Sequence, residues 1–529
     1  MNTWYCVRVS NIIQGMKRSN VLPLVAFFCT GVVFGPVVVA ERSDSIGTSD
    51  RLLLFVDDHD VLYRPGTRRE LQSVNRSPLN PMIADTQPWE GTIAYCSVHR
   101  DASTGKYQLW YQAYSRARGA RLCYATSDDG LHWDRPKLGL IEYDGSTDNN
   151  IVLEDPLYGA SVVYDDDAVE KERRYKTAYF RGGMAVAFSP DGIHWTVHPK
   201  LAFAKYAGGK TGQPPYAEQA PPHYMPLTIS DVIDVSFDPM RNCWMAYTKT
   251  WLDGPGGEMF WRRAVVRTDS KDFIHWSRPT LVSWPDELDD ISSLKRGVAA
   301  EGDTAGGGSR GIHIHGGPTF YYGGIYFSLL QIIDSAHTGL MPTELAISRD
   351  GYQLSRPFRD TWFIPADGLD AFDSGAIWTN ATPIVTKDEI RFYYGAYSGN
   401  WKRGLIKKPT GIGLATIPRD RFAGLRAIRN QGQVTLKPLN LENFASISVN
   451  ACCTNGSVRI EVLDRNGFRI RGFTKEDARA IHGDSLRHVV EWKGKSLSDL
   501  PVGRYTLRLH LDGDATLYSL NLYASSGDG

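Results

Sequence analysis

Tyr124-Ala-Thr-Ser127-Asp-Asp129-Gly130-Leu-His132-Trp133, followed by Arg135-Pro136, spells out a β-hairpin in ten residues. Alternating side chains make one strand, Asp-Gly supplies the positive φ of a tight turn, and the Trp opens the returning strand. The same phrase returns as Val186-Ala-Phe-Ser189-Pro-Asp191-Gly192-Ile-His194-Trp195. A third copy runs from Val265-Val-Arg-Thr268-Asp269 to Ile274-His275-Trp276 with Arg278-Pro279. A fourth, Leu345-Ala-Ile-Ser348-Arg-Asp350-Gly351, ends in Arg356-Pro357, and a fifth is worn down to Gly413-Leu-Ala-Thr416-Ile-Pro-Arg-Asp420.

Upstream of each copy lies a second hairpin with an aromatic strand, as in Lys106-Tyr-Gln-Leu-Trp-Tyr111, Arg174-Tyr-Lys-Thr-Ala-Tyr179, Cys243-Trp-Met-Ala-Tyr247, Gly324-Ile-Tyr-Phe-Ser328 and Ile390-Arg-Phe-Tyr-Tyr394. Four strands per repeat and five repeats predict a five-bladed β-propeller over residues 86–428. Trp133, Trp195 and Trp276 recur at intervals of 62 and 81 residues, well above the roughly 40 to 45 of scaffold-type repeats. The excess falls in loops, and long loops on a rigid scaffold point to an enzyme rather than an interaction scaffold. Beyond residue 428 the phrase stops. Val458–Leu463, Arg487–Trp492, Arg504–His510 and Leu517–Leu522 alternate polar and apolar residues and predict a β-sandwich over 429–529. The whole chain is expected to be all-β.

Lys plus Arg and Asp plus Glu both number 59, so no net field draws the protein to nucleic acid or to an anionic membrane. Fourteen Trp, 26 Tyr and 51 Gly suit short strands and surfaces that stack on sugar rings. Lys17 and Arg18 precede an apolar run from Val21 to Ala40, which predicts a signal peptide over 1–40 and a secreted or periplasmic location, with no membrane contact once it is removed. Residues 41–85 are then a segment leading into the propeller. Cys96, Cys123, Cys243, Cys452 and Cys453 follow no disulfide or zinc spacing.

These repeats resemble the five-bladed propeller glycoside hydrolases: the invertase and fructanase group, the arabinanase and xylosidase group, and the neoagarobiose hydrolases. The resemblance implies a hydrolase acting on glycosidic bonds of an extracellular oligo- or polysaccharide. It calls for no cofactor and leaves room for a structural calcium ion at the propeller axis. Glycoside hydrolysis needs an acid for the leaving oxygen and a carboxylate to activate water or attack carbon. Inner strands of all blades converge on the axis, so the starts of those strands are where such groups are expected.

Blade one opens with Asp85-Thr-Gln-Pro-Trp89-Glu90-Gly91, where the resemblance implies a base or nucleophile. Glu90 matches best and Asp85 is its substitute, with Trp89 beside them to bind sugar. Blade three opens with Asp231-Val-Ile-Asp234; alternation sends the two carboxylates to opposite faces, so one of them faces the axis, Asp231 being favoured. In blade four His313 and His315 occupy Ile312-His-Ile-His315-Gly-Gly-Pro318, with His315 where the acid Glu is expected. A His⁺ donates a proton when neighbouring carboxylates raise its pKa, and Glu344 is the alternative acid. A metal at the two His would need a third ligand that the spacing does not supply. Asp373 and Trp378 in blade five are expected to bind sugar, and Arg310, after Gly306-Gly307-Gly308, to bind an anionic substituent. Two other functions compete: a glycoside phosphorylase, whose basic residues hold phosphate, and a carbohydrate-binding propeller without catalysis.

Overall fold

The computed structural model describes residues 50–524 apart from 156, 203–226, 228, 253–260, 290–310, 336–337, 360, 369–370 and 401–404. The predicted signal peptide and Arg310 lie outside the described residues.

Five antiparallel sheets follow one another along the chain. Blade one comprises Thr92–Arg100, Tyr107–Ser115, Gly119–Ser127 and Ile151–Glu154. Blade two comprises Tyr158–Tyr164, Tyr175–Phe180, Met184–Ser189 and Thr196–Val197. Blade three comprises Ile233–Asp238, Cys243–Leu252, Arg262–Ser270 and Thr280–Ser283. In blade four the inner strand is interrupted, Ile312–Gly316 then Thr319–Tyr322, and is followed by Ile325–Asp334 and Thr343–Ser348. Blade five has Ala376–Trp378 and Ile384–Val385 inside, then Glu389–Asn400 and Leu405–Pro418. The expected five-bladed propeller is present.

Blade five takes its outermost strand from the other end of the chain. Asn75–Arg76 and Ile83–Ala84 pair with Leu405–Pro418 and so close the ring. This explains the worn fifth repeat: no strand returns after Pro418, so no Asp-Gly turn or Trp is needed there. Asp373, on the approach to the inner strand of blade five, accepts hydrogen bonds from Arg76 Nε at 2.9 Å and from the Tyr394 hydroxyl at 2.7 Å, which ties the closing strand to the blade.

The repeated phrase forms one turn four times. The Ser127 hydroxyl accepts from the amide of Gly130, while Asp129 accepts from the amides of Leu131 and His132 and from the His132 ring. Ser189/Asp191 and Ser348/Asp350 repeat the pattern. In the third copy the turn sits two to three residues later than the sequence suggests, at Ser270 and Asp272 rather than Thr268 and Asp269. Phe273 there takes the positive φ, 66°, that Gly takes elsewhere. Burial of its ring against Trp244 and Trp276 offsets a backbone conformation costing about 1–2 kcal/mol in a non-glycine residue.

Each pair of neighbouring blades encloses its own apolar core. Trp110 and Leu122 of blade one, for example, meet Val162 and Tyr179 of blade two, and Met245 and Val265 of blade three meet Ile314 and Leu330 of blade four. A further core belongs to a nine-stranded antiparallel C-terminal sheet built on two long strands, Phe444–Leu463 and Arg504–Ala524. Arg51–Leu54 pairs with Arg504–Ala524, Val61–Tyr63 with Gln431–Leu436, and Thr67–Leu71 with Ala423–Ala427. The N-terminal segment therefore contributes strands to both the C-terminal sheet and blade five.

Candidate active site

Three inner strands carry a β-bulge. In blade one the register shifts between Ile93 and Cys96, in blade two between Tyr158 and Ser161, and in blade four between Ile314 and Gly316. A bulge turns a side chain out of its regular alternation. Tyr95 and His315 lie in two of them, and the Tyr95 hydroxyl is 3.4 Å from His315 Nε2. Blades one and four are not neighbours in a five-bladed ring, so this contact spans the axis. Trp378 of blade five packs edge-on against both, at 6.0 Å from the Tyr95 ring and 6.4 Å from His315, with Tyr397 behind it at 4.5 Å.

Blade three supplies the charge. Asp231 precedes the inner strand, forms an ion pair with Lys249 and accepts a hydrogen bond from the Ser230 hydroxyl at 3.0 Å. Lys249 is buried, whereas the Asp231 side chain keeps 46% of its surface open, which makes it the accessible carboxylate of the group. The backbone approaches tightly here. A Cβ on Gly159, at φ 59°, would come within 2.4 Å of the Asp231 carbonyl oxygen, so only glycine fits beside it. Tyr114 and Tyr158, each more than a third exposed, face one another at 6.1 Å, and Tyr158 is within electrostatic range of Asp231. Across blade three, Arg263 and Lys249 lie over the Trp251 ring at 4.9 and 5.7 Å. The Arg263 amide donates to His313 Nδ1 at 3.1 Å.

Burial works to raise the Asp231 carboxyl, but the Lys249 ammonium and the hydrogen bonds from Lys249 and Ser230 hold it well below the usual carboxylate range. Burial, reinforced by Lys249 and Arg263, pushes His315 well below 6.5 although Asp231 pulls the other way. Burial also lowers Lys249, against the pull of Asp231. The expectation that carboxylates raise His315 thus meets two basic chains that sequence reasoning did not place there. Asp234, 5% exposed, is pushed far up by burial, and its Oδ2 accepts no hydrogen bond among the described residues.

Asp231, His313, His315 and Trp378 are accordingly brought together, with Asp234 buried in the same strand of blade three. The other described sequence-predicted residues have partners outside this group. Glu90 is fully buried and accepts hydrogen bonds from Arg135 Nε, the Tyr111 hydroxyl and the Gln87 amide. Glu344, in the third strand of blade four, is held by two nitrogens of Arg356 at 2.8 Å. Asp373 belongs to ring closure. Asp85 accepts from Thr410 at 3.0 Å, and Trp89 donates to Asn150 at 2.8 Å while packing into blade one. Tyr95, Lys249, Arg263, Tyr114 and Tyr158 were not found from sequence. The available signal was Lys249, a charged residue inside the otherwise buried strand Cys243–Leu252. Among the described residues no group of three or more His, Cys, Asp and Glu side chains is placed to hold a metal ion. A depression on the C-terminal domain beside Trp492 and Lys495 gathers none of the sequence-predicted residues.

No family model matches the chain, and no curated protein does. Among solved structures it is similar to an N-acetylgalactosamine deacetylase from F. plautii in complex with blood group B trisaccharide, at 14% identity and a TM-score of 0.43, over 66% of this chain and 96% of that one. It is also similar to a glycosyl hydrolase from Bacteroides ovatus, at 16% identity and a TM-score of 0.40, over 66% and 95% of the two chains. A third is a family 43 arabinoxylan arabinofuranohydrolase from Bacillus subtilis in complex with cellotetraose, at 11% identity and a TM-score of 0.36, over 84% and 98%.

Proposed function

We propose that the protein is a secreted glycoside hydrolase that cleaves an extracellular oligo- or polysaccharide at the propeller axis. The observation that carries this reading is an accessible Asp231, paired with Lys249, in the same cluster at the propeller axis as His315, Tyr95 and Trp378, with Tyr114 and Tyr158 exposed nearby. Aromatic faces stack on sugar rings, while a carboxylate and an imidazole handle the two protons of hydrolysis. Asp231 removes a proton from water, the hydroxyl adds to the anomeric carbon, the glycosidic bond breaks, and the departing oxygen takes its proton from the imidazolium form of His315, which burial and the two basic side chains make the minor form at neutral pH. Proton return from Asp231 to His315 through water resets the pair. Lys249 keeps Asp231 ionised and ready as the base.

The reading is tested by incubating the purified protein with a panel of plant and algal glycans and analysing the products. Release of reducing sugar, lost on Asp231→Asn, supports it; no cleavage of any glycan by the folded protein counts against it. Lys249 and Arg263 favour one second reading, a glycoside phosphorylase, in which they hold phosphate. Sugar phosphate formed only when inorganic phosphate is added distinguishes it from hydrolysis.

A further inference from the structure

Single aromatic side chains on a protein surface are common and carry no message. Tyr114 and Tyr158 are a different case, because they are two rings from neighbouring blades, 36% and 37% exposed, set 6.1 Å apart and inclined by 45°. Both stand at the end of the propeller that carries Asp231. Tyr114 lies opposite Thr92, the first residue of the inner strand of blade one, and Tyr158 is the first residue of the inner strand of blade two. Along Tyr107–Ser115 alternation gives Gln108, Trp110, Gln112 and Tyr114 to one face, toward blade two. The Gln108 side chain accepts from the Tyr175 hydroxyl at 2.8 Å, Trp110 donates to the Gly192 carbonyl at 2.7 Å, and Gln112 accepts from the Gly159 amide at 2.7 Å. Three members of the row are thus used in the contact between the blades, and the fourth, Tyr114, reaches solvent.

The backbone on both sides is built to hold the rings where they are. Gly91 has φ 60°, and a Cβ there would come within 2.2 Å of the Tyr114 carbonyl oxygen. Gly159 follows Tyr158 directly, so the segment that sets the Tyr158 ring also touches the backbone of the accessible carboxylate, Asp231. The bulge between Tyr158 and Ser161 takes this end of the strand out of regular alternation. We propose that Tyr114 and Tyr158 form a stacking subsite for a second sugar ring, so that the ligand of the axial site is a glycan chain of at least two units, one of them held at the tyrosine pair. The inference rests on the carbohydrate reading above and names its substrate class. Two inclined rings present apolar faces on which the C–H face of a sugar stacks. The occupant belongs to the same glycan chain as the reacting sugar, because the contact of Gly159 with Asp231 makes the platform continuous with the site.

The test is calorimetric titration of the full-length protein with sugar ladders of one, two and three units: xylose to xylotriose, glucose to cellotriose, mannose to mannotriose, galactose to galactotriose and arabinose to arabinotriose. Where the protein cleaves a member, its KM replaces its dissociation constant. In at least one ladder one added unit is expected to tighten binding by about tenfold or more. Tyr114→Ala and Tyr158→Ala should each shrink that step by about two- to tenfold, whereas Tyr114→Phe and Tyr158→Phe should keep it, because a ring face and not a hydroxyl makes the contact. Should an alanine variant fail to fold, Tyr114→Leu or Tyr158→Leu takes its place, filling the space without a ring face. No step in any ladder, a step that survives both alanine variants, or a step lost equally in the phenylalanine variants overturns the stacking subsite. Cleavage of a glycan with no length step sinks the subsite and leaves the hydrolase reading standing, whereas a tyrosine-dependent step without cleavage of any glycan does the reverse.

Discussion

Glu90, Glu344 and Asp373 are closed off by Arg135, Arg356 and Arg76 at 2.7, 2.8 and 2.9 Å, while in blade three Asp231 is half exposed beside Lys249 and Asp234 is buried with no arginine on it among the described residues. The first three are clamped in ion pairs by the scaffold. Two of their arginines come from the Arg-Pro that ends the repeated phrase, so the repeat carries the partner of its own carboxylate. Position at the opening of a blade does not by itself make an acid catalytic; all but Asp234 have a cation of the scaffold beside them, and what sets Asp231 apart is that its side chain stays 46% exposed while those of Glu90, Glu344 and Asp373 are buried.

The largest effect expected on the axial side is at His315. His315→Asn keeps approximate size but removes the proton, and should lower turnover of natural glycans by about 10²–10⁴-fold. Substrates with activated aryl leaving groups should lose far less, because an aryloxide needs little protonation. Equal loss on both, measured as kcat/KM, would make His315 a binding residue. On the clamped side Glu90→Gln leaves the partly buried Arg135 without its counter-charge and should cost about 2 kcal/mol of stability, read from denaturant unfolding, with turnover per folded molecule kept. Loss of turnover in a fully folded Glu90→Gln would move Glu90 across to the catalytic set.

Asp234 predicts a smaller, pH-dependent effect. Below about pH 4 the carboxyl is protonated in both the folded and unfolded chain and has no differential cost. Above that the unfolded chain releases the proton and the folded one keeps it, so the wild type loses stability as pH rises. Asp234→Asn removes this loss and should raise the melting temperature more at pH 8 than at pH 4; parallel curves would contradict a protonated Asp234. Half-buried His99, pushed down to about 4, and buried His315 act in the opposite sense and remove stability as pH falls below about 6.5. The smallest effect is at the turns. Asp129→Ala deletes hydrogen bonds from two amides on an exposed hairpin and should cost about 1 kcal/mol.

Blade number was legible because the Ser-x-Asp-Gly turn uses local chemistry that the copies repeat, whereas the expected span of 86–428 was not met at its ends: Asn75–Arg76 and Ile83–Ala84 belong to blade five and Ala423–Ala427 to the C-terminal sheet. Phe273 hid one copy, since a packed aromatic there takes over the φ of glycine. Ring closure was not legible: Asn75–Arg76 is two residues long, and nothing near it in sequence marks Leu405–Pro418 as its partner. At the site Asp231, His315 and Trp378 could be read from their positions on inner strands. Tyr95 could not, because a bulge and not alternation turns it to the axis. Nor could the depressed His315, whose cause is Lys249 and Arg263, more than fifty residues earlier in the chain.

The central claim is that chemistry runs on Asp231 and not on the clamped acids. It is tested most directly by measuring glycan cleavage by Asp231→Asn and Glu90→Gln side by side, at equal folded fraction, on the best substrate of the glycan panel. The account predicts a fall of about 10²–10⁴-fold for Asp231→Asn and near wild-type turnover for Glu90→Gln. Full activity in Asp231→Asn, with the loss in Glu90→Gln instead, would contradict it.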